Sequence, residues 1–384
     1  MVDHRLSEEH EALRKTVEEF ARSEVAPVAG DFYRRGAFPY PLVAAMGRMG
    51  LFGLPFPVEY GGMGGDYLAL CLALEELARV DSSVAVAVSA GVSLGAMPIY
   101  LYGTAAQRAR WLPELCAGTA LSAFGLTEPG GGTDAGACRT RAVLDGDHWV
   151  VNGSKAFITN SGTTITRLVT VTAVTGKRPD GRSEISTIVV PSGTPGFTVG
   201  PSYDKVGWCA SDTHELSFVD CRVPAANLLG ERGRGLAQLL SVLAESRIAL
   251  AAVGVGLAQG CVDECVRYAR DRHAFGRPIG GYQSIQFRIA DMELRARTAR
   301  LAYYHAASRM LAGEAFGTDA AVAKLVASNA AMDNARDATQ IFGGYGFMTE
   351  TPVARFYRDA KILEIGEGTS EVQRMLIARD LGLH

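Results

Sequence analysis

Apolar positions fall at helical spacing early in the chain, at strand spacing in the middle, and at helical spacing again to the end. Leu6, Leu13, Val17, Phe20, Ala21 and Val25 recur mostly at three- and four-residue steps, which gathers them on one face of a helix. Residues 67–79 and 82–101 are further apolar helical runs. Thr104 has the position of an N-cap for AAQRARWLPEL, which Gly118 closes. From about residue 119 short β-branched runs take over: DHWVVNGSKAFIT, RLVTVTAV, ISTIVV and HELSFVD. Asp145-Gly146, Asn152-Gly153 and Pro179-Asp180-Gly181 interrupt them, and such residues accept the positive φ of tight hairpins. After Gly230 the pattern predicts long helices near 235–271, 281–312, 317–341 and 352–364.

The plan is therefore α+β, with helices at 1–118, a compact antiparallel barrel or sandwich at 119–230, and a helical region at 231–384. The chain has 384 residues, enough for two to three domains. Its 48% hydrophobic and 21% charged residues are ordinary globular usage. A formal net charge of −3 and the absence of a long Lys/Arg run argue against a nucleic-acid surface. The start, MVDHRLSEEHEALRK, lacks an apolar signal region. The most apolar stretch, 248–262, is shorter than the roughly 20 residues of a membrane span and reads as a buried core helix. The seven cysteines are scattered without metal-ligand spacing, so no metal is expected and a reduced, cytoplasmic protein is.

Three glycine-bearing motifs can carry chemistry. Phe124-Gly-Leu-Thr-Glu-Pro-Gly-Gly-Gly-Thr-Asp134 lies between strand-like runs and matches neither the dinucleotide fingerprint nor a Walker A loop. It reads either as a flexible hairpin loop or as a backbone nest for a pyrophosphate, with Thr127 and Thr133 as hydroxyl donors. Arg272-His-Ala-Phe-Gly-Arg277, with Gln283 beyond it, reads alone as a helix end and turn. Gln340-Ile-Phe-Gly-Gly-Tyr-Gly346 reads as a helix C-cap with a left-handed glycine. Near the end, Glu367 stands between Gly366 and Gly368 and breaks one helix from the next. Alone it is as consistent with a solvated linker carboxylate as with a base.

Together, TEPGGGTD, KAFITN, RHAFGRPI with YQSIQF, QIFGGYGF, RDAKI and EGTSEVQ, in this order, resemble the acyl-CoA dehydrogenases over essentially the whole chain, most closely the bacterial short- and branched-chain enzymes. The resemblance implies an N-terminal helical domain, a central antiparallel β-barrel domain and a C-terminal four-helix bundle. It implies a homotetramer with FAD at a subunit interface, and electron-transferring flavoprotein as electron acceptor. Phe124, Leu126, Thr127, Gly132 and Thr133 would touch the flavin ring and pyrophosphate, and Phe157 and Thr159 would lie against the ring. Many members carry Trp at the position of Phe157. Arg272, Phe275, Gln283, Gln340 and Gly344 would come from a neighbouring subunit, and Thr369 and Glu371 would close the site. Thr133, Arg247, Gly366 and Gly368 would meet substrate.

In the implied reaction Glu367 removes the α-proton of an acyl thioester while the β-hydrogen leaves as hydride to flavin N5. The backbone N–H of Glu367 is a candidate donor to the thioester carbonyl, and desolvation raises the carboxylate's basicity. Some members place the base just before the residue matching Arg247; here that residue is Ser246, which favours Glu367. Glu245, one residue further back, is expected to point away. Ala244 stands where many CoA-using members carry Asp, which leaves an acyl-carrier-protein thioester open as the substrate. Gly366 replaces an aromatic residue of the straight-chain enzymes. The same architecture also hosts flavin oxidases, monooxygenases and a DNA-binding stress homologue, and the acidic net charge argues against the last of these.

Overall fold

The structure, a computed structural model, describes residues 6–383. The first helical block holds α1 (Glu8–Phe20), α2 (Ala26–Arg35), α3 (Tyr40–Arg48), α4 (Tyr67–Ala78), α5 (Ser82–Ser89), α6 (Met97–Tyr102) and α7 (Ala105–Cys116). Thr104 caps α7 as its sequence predicts: its hydroxyl accepts from Gln107 N at 3.2 Å, and Gln107 Oε1 accepts from Thr104 N at 2.9 Å. The apolar run at 82–101 is not a uniform α-helix. A π-helical stretch, Ala90–Ala96, joins α5 to α6. Such stretches are rare and concentrate near functional sites.

The middle block holds β1 (Leu121–Gly125), β2 (Arg141–Asp145), β3 (His148–Thr159), β4 (Thr166–Lys177), β5 (Ser183–Pro191), β6 (Phe197–Ser202), β7 (Thr213–Pro224) and β8 (Leu228–Leu229). The order is β6-β7-β3-β2-β4-β5-β8, with β1 added beside β4. Most pairs are antiparallel, but β1 and β2 each run parallel to β4. Residues of six strands, among them Ala123, Ala142, Val151, Val171, Ile188 and Phe218, meet in one apolar cluster, so the sheet wraps its own core. No ladder joins β6 to β8 among the described residues. Asp145-Gly146 makes the expected β2–β3 hairpin. Asn152-Gly153 does not turn the chain. It forms a bulge inside β3, where Gly153 (φ +144°) presses against Thr140 and a Cβ would come within 2.7 Å. Asn152 instead holds Asp220 on β7, donating to its carboxylate at 3.1 Å and accepting from its backbone N–H at 2.8 Å.

The last block holds α8 (Gly235–Asp271), α9 (Gln283–Leu311), α10 (Gly317–Phe342), α11 (Pro352–Leu363) and α12 (Ser370–Asp380). Four match the predicted ranges, and α12 is a fifth. Gly343 caps α10 with φ +61° but ψ −132°, so it is not left-handed helical as expected. The two helical blocks share one core, because α4 lies directly on α8. At Gly256 a Cβ would sit 2.2 Å from Glu75 O, so only glycine admits that approach. The expectation based on length at 248–262 needs correction: α8 spans 37 residues and is long and apolar enough to cross a membrane. Its burial against α4, α9 and α10 marks it as a core helix.

Asp359, from the RDAKI motif, locks the blocks together. Its carboxylate accepts from Tyr33 Oη at 2.8 Å, Ser82 Oγ at 2.8 Å and Trp208 N at 2.6 Å. These partners come from α2, α5 and the β6–β7 loop. The motif is thus a structural junction.

Candidate active site

The loop between α11 and α12 is held by bonds from α10, α11 and α12. Gly366 N donates to Ile362 O at 2.7 Å, Ser370 N to Glu364 O at 2.9 Å, and Thr369 caps α12 through Val372 N. Lys324, fully buried on α10, donates to Gly368 O at 2.8 Å, and buried Gln373 on α12 donates to the same oxygen at 2.8 Å. One turn along α10, Ser328 Oγ donates to Leu363 O at 2.8 Å. Within this frame Glu367 itself takes φ +54°, followed by Gly368 at +94°. A left-handed non-glycine residue is a small reservoir of strain, and such residues gather at functional sites. Among the described residues six non-glycines have positive φ, and three of them, Phe157, Phe275 and Glu367, are predicted site residues.

The Glu367 carboxylate points into the fold. The residue keeps partial exposure, but Oε2 is buried and has no hydrogen-bond partner among the described residues. Ser246 Oγ and Arg247 Nε on α8 are buried and unpartnered in the same way. Burial pushes the Glu367 carboxyl above the ordinary carboxylate range, while the Ser246 hydroxyl, Lys324 and Arg247 pull it back. Burial also lowers the Lys324 ammonium to about 8, with Glu367 opposing the change. A buried carboxylate of raised proton affinity beside unsatisfied donors suits a general base that meets a polar ligand.

Behind it, Tyr67 Oη donates to Ser93 Oγ at 2.9 Å, and Ser93 belongs to the π-helical stretch. The Tyr67 phenol feels both Glu245 and Glu367. Glu245 therefore does not simply face solvent: it is half-buried, and burial raises its carboxyl to about 7.

A second group of predicted residues collects on the β block. Phe124 lies near the end of β1, and Leu126 and Thr127 follow the strand. Ala156 N donates to Thr127 O at 2.9 Å, which ties this segment to Phe157 and Thr159 on β3. Phe157 is 64% exposed, and its ring lies 5.1 Å from that of Tyr203. Gly132 is exposed beside the Thr127 side chain, and Thr133 is exposed next to it. The glycine loop is less free than a full nest requires, because Glu128 and Gly131 exchange two backbone hydrogen bonds at 3.1 and 3.0 Å.

Beneath it lies a pair that the motif reading missed. Lys155 Nζ, fully buried, donates to Glu128 Oε1 at 2.8 Å, Thr172 Oγ1 at 3.0 Å and Leu126 O at 3.3 Å. Glu128 also accepts from Arg139 N and Thr140 N. Burial opposes the Glu128 charge, but these donors outweigh it and hold the carboxyl at about 2. A lysine at an inward position of an alternating strand is the signal that could have revealed the pair.

The third group lies at the far end of the helical block. Arg272 and Gly344 line one cavity of about 530 Å³ with Tyr268, Phe342 and Tyr345. Phe275 is 97% exposed. Gln283 opens α9, Gln340 lies in the last turn of α10, and neither lines that cavity. Glu371 is exposed on the first turn of α12, whereas Thr369 is half-buried. Arg247 is buried, and Gly366 has only Ile362 O near a would-be Cβ, at 3.4 Å.

Comparison with known proteins places the whole chain in one family. Models of the acyl-CoA dehydrogenase N-terminal, middle and C-terminal domains match residues 7–119, 123–221 and 233–382. The chain belongs to the acyl-CoA dehydrogenase family. It is 46% identical to the probable acyl-CoA dehydrogenase YngJ of Bacillus subtilis, over 98% of each chain. It is 43% identical to a short-chain specific acyl-CoA dehydrogenase of Clostridium acetobutylicum, over 98% of this chain and 99% of that one. The butyryl-CoA dehydrogenase structure from Megasphaera elsdenii superposes with a TM-score of 0.95 at 42% identity, covering 99% of this chain and 100% of that one. This acyl-CoA dehydrogenase is accordingly an FAD-dependent oxidoreductase acting on acyl thioesters. Its residues suit the cofactor: an exposed ring at Phe157, hydroxyls at Thr127 and Thr133, and an arginine over a cavity at the helical end together match a flat ring, a diphosphate and a nucleotide.

Proposed function

We propose that Glu367 is the base that removes the α-proton of a short or branched acyl thioester. The observation that carries the reading is the strapped left-handed loop, which holds an unpartnered buried carboxylate beside Ser246 and Arg247. The proton passes from the α-carbon to the Glu367 carboxylate, and the N–H of Glu367 faces the thioester carbonyl as charge develops there. Bound FAD supplies the two-electron acceptor for the β-hydride. Phe124, Leu126, Thr127, Gly132, Thr133, Phe157 and Thr159 hold the flavin and diphosphate of one subunit. Arg272, Phe275, Gln283, Gln340 and Gly344 are offered to the cofactor of a neighbour, and Thr369 and Glu371 close the site. Arg247 meets the carrier's phosphate or the thioester end, with Thr133, Gly366 and Gly368 beside the substrate.

Two features support a homotetramer. Phe275 is almost wholly exposed in one chain, and Phe287, Leu294 and Leu301 lie seven residues apart on α9, each more than half exposed. Electron-transferring flavoprotein is the proposed acceptor. The test is anaerobic. The purified protein is expected to be yellow, with one FAD per chain and a mass above that of a monomer. Butyryl-, isobutyryl- or methylbutyryl-CoA should bleach it. A colourless monomer that takes up no FAD would end this reading. Bleaching only by acyl-carrier-protein thioesters would move the substrate to that carrier, consistent with Ala244.

Gly366 sets the branch tolerance in this reading. Its φ is not positive, and a Cβ there meets only Ile362 O at 3.4 Å, so the backbone accepts a side chain at this position. A ring beside Glu367 would fill the space that a methyl branch needs. Gly366→Tyr is expected to lower kcat/KM for branched four- and five-carbon substrates more than for straight ones. The difference should be about ten- to a hundredfold, the scale of one or two methylenes in a fitted pocket. Equal losses for both shapes would remove Gly366 from specificity.

A further inference from the structure

Lys324 belongs to no predicted site, yet it is a fully buried lysine within the catalytic region. It sits on an α10 face otherwise made of small residues, with Ala320, Ala321, Ala323 and Ala327 all buried. Placing an ammonium there is costly unless it is paired. The structure gives it one direct partner, the backbone carbonyl of Gly368, at 2.8 Å. That oxygen follows Glu367 by one residue and is shared with Gln373. The charged groups facing Lys324 come from every neighbouring segment: Glu367 and Glu364 in the loop, Arg247 on α8 and Glu371 on α12.

We propose that Lys324 is a positioning residue for the base, clamping the left-handed Glu367–Gly368 turn through the Gly368 carbonyl and supplying the positive charge that keeps the Glu367 carboxylate ionised in a dry site. This rests on Glu367 being the base. The two roles are physically separable. The clamp needs a donor, whereas ionisation needs a charge. Without the clamp, nothing from α10 bonds the Gly368 carbonyl, and only Gln373 still donates to that oxygen. Without the charge, Arg247 is the remaining nearby cation, and substrate burial then favours the protonated base.

Two variants separate these roles. Lys324→Gln keeps an N–H donor, one bond shorter than the lysine's, and removes the charge. Lys324→Met removes both. Flavin reduction by a saturating acyl-CoA is followed anaerobically across pH, with FAD content measured in each variant. For Lys324→Gln the rate should fall about tenfold on the acid side and return toward wild type at high pH. For Lys324→Met the acid-side loss should persist as a roughly ten- to hundredfold deficit at high pH, since a displaced base is not restored by ionisation. A merely structural lysine predicts lower stability with an unchanged pH profile. If Lys324→Gln keeps full FAD and the wild-type pH profile, the proposal fails. Should Lys324→Met not fold, Lys324→Gln alone still decides the electrostatic role. Glu367→Gln is the control: a variant that reduced flavin at the wild-type rate would overturn the base assignment itself, whatever Lys324 does.

Discussion

Replacing Glu367 by glutamine should leave FAD bound and lower the rate of flavin reduction by roughly 10²–10⁴-fold, the scale of a lost general base. Glutamine matches glutamate in size and can take the same φ of +54°, so the loop's bonds from Lys324 and Gln373 survive. Ligand binding should persist, and the loss should appear in the chemical step. The wild-type pH profile follows from the same carboxyl. Burial raises its pKa, and the reactive form is the anion, so flavin reduction should rise with pH through that raised value and then level off. Stability moves the other way. A carboxyl whose folded pKa exceeds its unfolded value binds its proton more tightly when folded. Its contribution is therefore greatest below the unfolded value and declines as pH rises through the folded one. Glu367→Gln should thus raise the melting temperature near neutrality while lowering turnover by the same roughly 10²–10⁴-fold. A variant that is both less stable and still active would contradict both parts.

Much of this is legible in the residues. The apolar periodicity of α8 and α10 marks both helices almost to their ends, since a face of alanines and leucines at helical steps has no other use in water. The ordered motifs locate the loop of Glu367 and the segments proposed to face the flavin. Other features depend on partners distant in the chain. The two glycines mark the break between α11 and α12, yet Glu367 itself takes the left-handed turn together with Gly368, and Gly366 does not. Asn152-Gly153 carries a hairpin signature, but Thr140 and Asp220 convert it into a bulge. The offset of Glu245 from Ser246 predicts an outward residue, but the fold leaves it half-buried and near Tyr67 of α4. The two buried lysines are the least visible. Lys155 is paired 27 residues away and Lys324 bonds 44 residues away, so spacing names neither partner, and only the inward position of Lys155 on β3 hints at its burial.

Lys155→Met should be the most destabilising of the changes considered. The wild-type pair is enclosed, with Glu128 also bound by Arg139 N and Thr140 N. Removing the cation leaves a buried carboxylate without its counter-charge, a loss of about 3–5 kcal/mol in comparable cases. The same change frees Leu126 O, so the Leu126–Thr127 segment, proposed to lie beside the flavin, loses this anchor. FAD retention on gel filtration should fall together with the melting temperature. The pH dependence gives an independent check. In the wild type the Glu128 carboxyl is held at about 2, below its unfolded value, so its contribution is present above that unfolded value and is lost as pH falls toward 2. In Lys155→Met, burial without the ammonium should push the same carboxyl up, and its effect on stability then worsens as pH rises. The gap in melting temperature between the two proteins should widen from about pH 4 to pH 7. Adding Glu128→Gln to Lys155→Met removes the stranded charge and should recover part of the loss, because a neutral amide costs less to bury than an unpaired anion. A gap that does not change with pH, or a double variant no better than Lys155→Met, would show that Lys155 acts through packing rather than charge.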